Sequence, residues 1–509
     1  MFGRKKPAEQ HVAEDTRDPE ASSGPPPIDQ KPFFEAIWPV LACGAGLFSD
    51  GYINNVIGSV NTVLGYEYDD LYSSSQAAKV VPAIAFAGTV VGQLVFGYTA
   101  DRWSRTNSLL ISTIVLIVFT ALAAGSYYHG DPVGMFNILA AWRFFVGIGI
   151  GGEYPAGSVS CAESTGELKS GSRNRWFILF TNFMIDVGFV IGAFVPYVVA
   201  AAAQNKYFGT IWRTSLGIGV VFPLLLLLLR FKLKEPEEFS RNSMKNARTP
   251  YLLVLKYYGF RLFIVSLIWF IYDFSAYAFG IYSGPIISNI YANNYADGTK
   301  APLTTVFGWN TVLNLFYVPG TVLGAPISDR LGPRYTLILG FLTQSVVGFI
   351  MAGTYAKLSQ PSVIGAFVVV YGIFLSLGEL GPGNNIGLLA AKTCATGVRG
   401  QYYGIAAAIG KIGAFVGVYV FPYIQAAGGD SSNAAYYQYP FFVSSSLCVL
   451  AAALAFFFLP QIGQDTITLE DEKFREYLTA NGWDVRQLGL KVGESIDSLP
   501  RETEEPQKL

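Results

Sequence analysis

Twelve apolar stretches of about twenty residues constrain this chain more than any other feature. They lie near 35–64, 78–100, 107–127, 135–160, 175–202, 211–231, 259–288, 303–327, 335–356, 362–391, 402–425 and 437–460. A helix of that length spans about 30 Å, the thickness of a bilayer's hydrocarbon core. In hydrocarbon the backbone must satisfy its own hydrogen bonds, which helices do. The expected fold is an all-α membrane protein, twelve transmembrane helices in two six-helix halves. With 51% apolar and 14% charged residues over 509 positions, a soluble enzyme of this size is a poor match. A net charge of −1 and no basic stripe argue against nucleic acid.

Residues 1–34 are polar and proline-rich, without the apolar core of a secretory signal, and read as a disordered cytosolic tail. Residues 35–231 form the first half, 232–258 a cytosolic middle loop, 259–460 the second half and 461–509 a cytosolic tail. Basic residues collect on one side. They are Arg102, Arg105, Lys169, Arg173, Arg175, a middle loop running from Arg230 to Lys256, then Arg330, Arg334, Lys392 and Arg399. The opposite loops hold Lys79, Lys206, Arg213, Lys300 and Lys357. That asymmetry places both termini in the cytosol. Between the second and third stretch of each half a charged turn recurs. It is GYTADRWSR with Asp101, Arg102 and Arg105, and APISDRLGPR with Asp329, Arg330 and Arg334. Such turns can latch helix ends by charge and macrodipole, a gating or structural role, and two copies point to a duplicated transporter.

Several polar side chains fall at membrane depth. Trp269, Asp273 and Tyr277 recur at steps of four, along one helical stripe. A carboxylate there costs about 2.5–3.5 kcal/mol unless it faces a cavity or a partner. Lys411, in GIAAAIGKIGAFVG, is the candidate partner, either as an anion-binding cation or as a fixed salt bridge. Asp50 is a proton acceptor facing a cavity, or an acid satisfied by neighbouring serine and asparagine groups. Gln93 is a cavity hydrogen-bonder or a packed interhelical amide. The plain structural reading of Glu153 is a pair with an arginine such as Arg173, and Arg143 reads as a helix-end charge meeting an acid or headgroup. Asp186 is a hydroxyl acceptor or an interhelical partner. Glu379 precedes Gly381, Pro382 and Gly383, a broken segment that leaves Asn384 as a ligand contact or beside a simple kink. The two histidines, His11 and His129, lie outside the stretches, so carboxylates must carry any transported proton. Four scattered cysteines lack metal spacing, no cofactor is implied, and there is no phosphate-cradling GxxxxGK[ST] loop. An enzyme or an ATP-driven pump is therefore not expected.

The paired DR turns resemble those of the major facilitator superfamily, although Ala325 stands where that family usually has glycine. RFFVGIGIGGEYP, the W-x-x-x-D of Trp269 and Asp273, and AAAIGKIGA resemble the phosphate:proton symporter branch. SDGYINN, GPGNNIGLLAAK and the tail phrase EYLTANGWD resemble the fungal glycerophosphodiester permeases. The resemblance implies a proton-coupled plasma-membrane importer of glycerophosphoinositol or glycerophosphocholine, working as a monomer in the lipid bilayer. It implies a substrate site of Tyr154, Trp269, Asp273, Tyr277, Asn384, Lys411 and Gln93, with Asp50, Glu153 and Asp273 coupling protons. The glutamine that the phosphate branch carries in the fifth stretch is missing. A phosphodiester also offers no P–OH donor to an ionised Asp273, so that acid is expected to be protonated or to face hydroxyls or a choline cation. Trp269 and Tyr277 could then form an aromatic box. The alternatives are inorganic phosphate symport, and a sensor that binds without transporting.

Overall fold

The computed structural model describes residues 32–169, 171–292, 301–430 and 433–490. Among these, twelve helices are long and apolar enough to cross a membrane, and there is no β-strand. They are α1 (Phe34–Glu67), α2 (Ala77–Arg102), α3 (Arg105–Ala124), α4 (Pro132–Glu167), α5 (Arg173–Ala202) and α6 (Phe208–Arg230). The second half comprises α7 (Tyr251–Ile287), α8 (Leu303–Leu331), α9 (Pro333–Leu358), α10 (Ile364–Lys392), α11 (Thr396–Ala426) and α12 (Ala434–Phe458). Helix α7 starts at Tyr251 rather than near 259. Its extra turns project Tyr257 and Tyr258 onto Phe474 of a tail helix, Thr466–Ala480. The expected N-terminal tail falls almost wholly outside the described residues.

Glycine sets the helix spacing, and it does so twice in the same way. On α11, a Cβ at Gly413 would meet the Phe270 carbonyl oxygen of α7 at 2.3 Å, and one at Gly417 the Phe274 oxygen at 2.0 Å. On α5, Gly188 faces the Phe48 oxygen of α1 at 2.3 Å, and Gly192 faces Tyr52 at 2.7 Å. Small residues let backbones approach this closely in a bilayer. In D-x-G-x-x-x-G and K-x-G-x-x-x-G, Asp186 and Lys411 therefore hold the same place in the two halves. The halves meet along α2 with α11, α5 with α8, and α1 with α7.

At one end the two DR turns cap helices of the opposite half. Asp101 accepts from the Gly400 and Gln401 amides that open α11, at 2.8 and 2.7 Å, and from Arg105 at 2.6 Å. Asp329 accepts from the Arg175 amide that opens α5 at 3.2 Å, and from Gln464 at 2.8 Å. Each carboxylate sits at a positive helix end. Arg105 and Arg399 share Glu163, each at 3.0 Å. Arg102 donates to the Met244 and Ala247 carbonyls, Arg334 donates to the Phe456 carbonyl, and Arg330 is exposed. Lys392 and Arg399, expected among the loop charges, are instead fully buried. Lys392 donates to Asn174 at 2.6 Å, which ties α10 to α5.

The tail helix lies across this end. Asp471 accepts from the Thr396 amide and hydroxyl at 2.6 Å each, Glu470 pairs with Arg261 at 2.8 Å, and Asp465 pairs with Arg173. The turn in EYLTANGWD is made at Gly482, whose φ of +76° suits glycine, and Trp483 then donates to the Arg248 carbonyl at 3.3 Å. The phrase docks the tail on the middle loop.

Gly413→Leu is expected to destabilise the protein by about 1–3 kcal/mol through overpacking against the Phe270 carbonyl. Gly353→Ala, where an added Cβ meets no atom of another element within 4 Å, should not destabilise and should gain up to about 1 kcal/mol from helix propensity. Thermal unfolding in detergent, measured on both variants, checks this.

Glu238, on the short helix Glu237–Asn242, is buried beside Asp471 and Glu163, with Arg399 and Arg241 opposing. Burial first, and then Asp471, push its carboxyl up to about 7. The folded state thus prefers the protonated acid. Its contribution to docking is complete below the ordinary carboxylate range and is lost as pH rises through about 7. Amide exchange of residues 466–480, corrected for intrinsic rates, should be faster at about pH 8 than at about pH 6, and Glu238→Gln should flatten that difference. An unchanged pH dependence in that variant would contradict the assignment.

Candidate substrate and coupling site

Two helices lose their regular register where the site lies. Helix α4 widens into a π-helical turn over Glu153–Ser158, and α10 does so over Glu379–Gly383. Pro155 and Pro382 sit inside these turns, where each removes a backbone donor and crowds the preceding turn. Between the halves is a cavity of about 60 Å³ lined by Tyr154, Asn182, Trp269, Tyr272, Asp273, Tyr277, Glu379, Asn384 and Lys411, among others. One water needs about 10–15 Å³ of such space, so the cavity has room for a few waters and a larger solute needs the halves to part. A larger space of about 500 Å³, lined by Asn61, Tyr66, Lys79, Tyr282 and Tyr436, lies at the end opposite the DR turns.

Lys411 is the hub. Its ammonium lies 3.4 Å from Asp273 Oδ2 on α7 and 4.0 Å from Asp50 Oδ2 on α1, and it donates to the Tyr277 hydroxyl. It also stands over two rings, 3.8 Å from the centre of Tyr277 and 4.8 Å from that of Tyr154. Asp50 accepts from Tyr154 at 2.5 Å, Tyr277 at 3.1 Å and Asn54 at 2.5 Å. One cation from the second half is thus held by an acid from each half. Of the two rings that were to box a ligand cation, Tyr277 is turned to Lys411. Trp269 lines the cavity but packs edge-on against Tyr403, with centroids 5.5 Å apart.

A second polar group lines the same cavity. Glu379 accepts from Tyr272 at 2.8 Å and from the Asn182 amide at 2.8 Å. Asn182 also donates to the Asn384 carbonyl oxygen at 3.0 Å, and Asn384 donates to the Thr321 backbone at 3.1 Å. The Thr321 hydroxyl in turn donates to Asp186. Asp186 therefore does reach another helix, α8.

Other residues singled out by the sequence lie off the cavity wall. Glu153 takes both arms of Arg230 at 2.6 Å each, plus Thr113 at 3.2 Å, so its partner is Arg230 rather than Arg173. Gly46, in the break between the two segments of α1, makes room for that pair, since a Cβ there would meet Glu153 Oε2 at 1.9 Å. Gln93 is fully buried, with neither polar atom of its side chain hydrogen-bonded, and it does not line the cavity. Arg143 is not a helix-end charge. It is buried and donates to the Val81 and Ile53 carbonyls at 3.2 and 3.4 Å. The four cysteines are free and buried.

Asn182, Tyr272 and Arg230 were not anticipated. Asparagine and tyrosine are ordinary in such helices, and Arg230 stands at the edge of a basic loop. Only the Asp186–Lys411 repeat offered a signal, because its glycines match at both spacings.

The bundle, its duplicated latches and a polar site between the halves describe a membrane transporter of the major facilitator fold. The sugar (and other) transporter family matches residues 38–249 and 236–474, and the chain belongs to that family. It is 48% identical to a Candida albicans protein named major glycerophosphoinositol permease GIT3, over 93% of this chain and 87% of that one. It is 47% identical to the glycerophosphocholine permease GIT4 of the same organism, over 91% and 86%. The proton:xylose symporter XylE of E. coli shares the fold, with a TM-score of 0.66 at 18% identity over 87% and 98% of the two chains.

Arg230→Ala leaves Glu153 as an unpaired buried anion and should cost about 3–5 kcal/mol. The double replacement Glu153→Gln with Arg230→Gln should recover most of that loss. The melting temperatures of the single and double variants give the comparison.

Proposed function

We propose that this chain imports glycerophosphodiesters with protons by alternating access, with Lys411 holding the phosphate. The observation that carries the proposal is the buried ammonium shared by Asp50 of the first half and Asp273 of the second. A phosphodiester anion can take the place of one carboxylate on that ammonium, and such a contact is about twice as strong as a neutral hydrogen bond. In this reading the Tyr154 and Tyr277 hydroxyls, which donate to Asp50 in the closed site, would turn to the phosphate, with Asp50 and Asp273 the acids next to it. Asn384 and Trp269, on other parts of the wall, would face the headgroup. Carboxylates repel an incoming anion, which is why a proton should enter with it. Release of Lys411 from Asp50, the acid of the other half, would loosen one half from the other.

The DR latches and the docked tail close one end of the bundle, and the larger space lies at the other. Import then requires those latches to break once substrate and proton are bound. In this reading the protein is a plasma-membrane monomer with both termini cytosolic. Relatives named for inositol and for choline headgroups match this chain almost equally, so overall identity does not choose between them.

Reconstituted protein should accumulate labelled glycerophosphoinositol or glycerophosphocholine under an inward proton gradient, with weak competition by free phosphate. Lys411→Ala should remove uptake of both diesters. Potent competition by free phosphate with none by the diesters would overturn the substrate, and binding without accumulation would favour a sensor. If Trp269→Ala selectively weakens glycerophosphocholine competition, that ring contacts the choline; equal loss for both diesters makes it a wall of the cavity.

A further inference from the structure

Among the described residues, the buried acids near the middle of the bundle differ in whether a cation stands beside them. Glu153 is matched by Arg230. Asp50 and Asp273 share Lys411, and Asp50 also accepts three hydrogen bonds. Asp186 and Glu379 have no such partner. Both are buried, at 0% and 4% exposure, and among the described residues neither has a cation within ion-pair distance. They are joined through two side chains: Thr321 donates to Asp186, and Asn182 contacts both Thr321, at 3.4 Å, and Glu379, at 2.8 Å.

Helix α5 carries Asp186 at the repeat position where α11 carries Lys411. The first half thus supplies an acid where the second supplies a base. Two carboxylates this close in a low-dielectric interior do not both stay ionised. Their hydrogen bonds differ. Both oxygens of Glu379 accept, one from Tyr272 and one from Asn182, as an anion's would. Asp186 accepts on Oδ2 only, and Oδ1 has no hydrogen-bond partner. A buried anionic oxygen without a donor is costly, whereas a protonated one removes the charge.

We infer that Asp186 and Glu379 form an acid pair holding one proton, and that this pair carries the coupled proton while Glu153 stays locked to Arg230. Glu379 lines the cavity and Asp186 lies behind it, on the α5–α8 contact between the halves. In the cycle, one proton from external water adds to the doubly ionised pair, lowering its charge from −2 to −1. The pair closes in that form with the substrate. Hydration from the other side then removes the same proton into the cytosol. The groups facing the pair are Tyr272 and Asp273 on α7, Tyr317 and Thr321 on α8, Asn182 on α5, Asn384 on α10 and Lys411 on α11. Lys411 draws the substrate anion into the same cavity, so proton and substrate neutralise neighbouring sites.

The inference rests on the symport reading above, and one measurement separates them. In proteoliposomes with an internal pH dye, adding glycerophosphoinositol or glycerophosphocholine to the wild type should acidify the lumen. If it does not, symport itself fails. Given wild-type acidification, Asp186→Asn and Glu379→Gln should each cut substrate-driven proton entry at least about ten-fold. Both should still exchange labelled substrate, at rates that no longer vary between about pH 5 and 7.5. Acidification with the wild-type pH profile in either variant would overturn the pair. If the amide variants fail to fold, Asp186→Glu and Glu379→Asp decide. Each keeps an acid and should retain coupling with a displaced pH profile, and an unshifted profile in both would also overturn the inference.

Discussion

The structure turns on one ammonium group. A lysine at membrane depth costs about 2.5–3.5 kcal/mol on insertion scales, so it persists only where something returns that energy. Here the return comes from two carboxylates on different halves, at 3.4 and 4.0 Å, and from two tyrosine rings that cover it. Because the partners lie on α1 and α7, pairing Lys411 also joins the halves. An anion that competes for the ammonium competes with that joint. In the proposed function, binding and movement are coupled by the same few charges.

The ends of the bundle repeat the principle with fixed charges. Asp101 and Asp329 each cap a helix of the other half, and Glu163 is shared by Arg105 and Arg399. These are backbone-directed or multiply bonded contacts, so breaking them requires the halves to move as bodies. The tail helix adds a third layer through Asp471 and Glu470. Its docking is expected to be pH-sensitive, since burial and Asp471 raise the Glu238 carboxyl there. In the proposed function the centre answers to substrate, and the end is predicted to answer to protonation of the tail seat.

Much of this was legible in residue order. The length of the apolar stretches dictates the helices, the double DR turn marks the duplication, and Asp273 and Lys411 stand out because charge is expensive in hydrocarbon. What residue order could not assign was partnership. Glu153 could have met any nearby arginine, and the fold gives it Arg230, because the break in α1 opens a gap at Gly46 beside both groups. Arg143, Lys392 and Arg399 counted as loop or end charges until packing buried them. Asn182 and Tyr272 carry no cost that would flag them, yet they seat Glu379.

Sequence by itself therefore determined the class of fold, the repeat and the identity of the costly residues, because each follows from local length, spacing or desolvation. Tertiary structure alone decided which acids have a cation. Asp50 and Asp273 have Lys411 and Glu153 has Arg230, while Asp186 and Glu379 have no cation among the described residues and are linked only through Thr321 and Asn182. An acid's chemistry depends on the charges within a few ångströms, and those arrive from helices far apart in the chain.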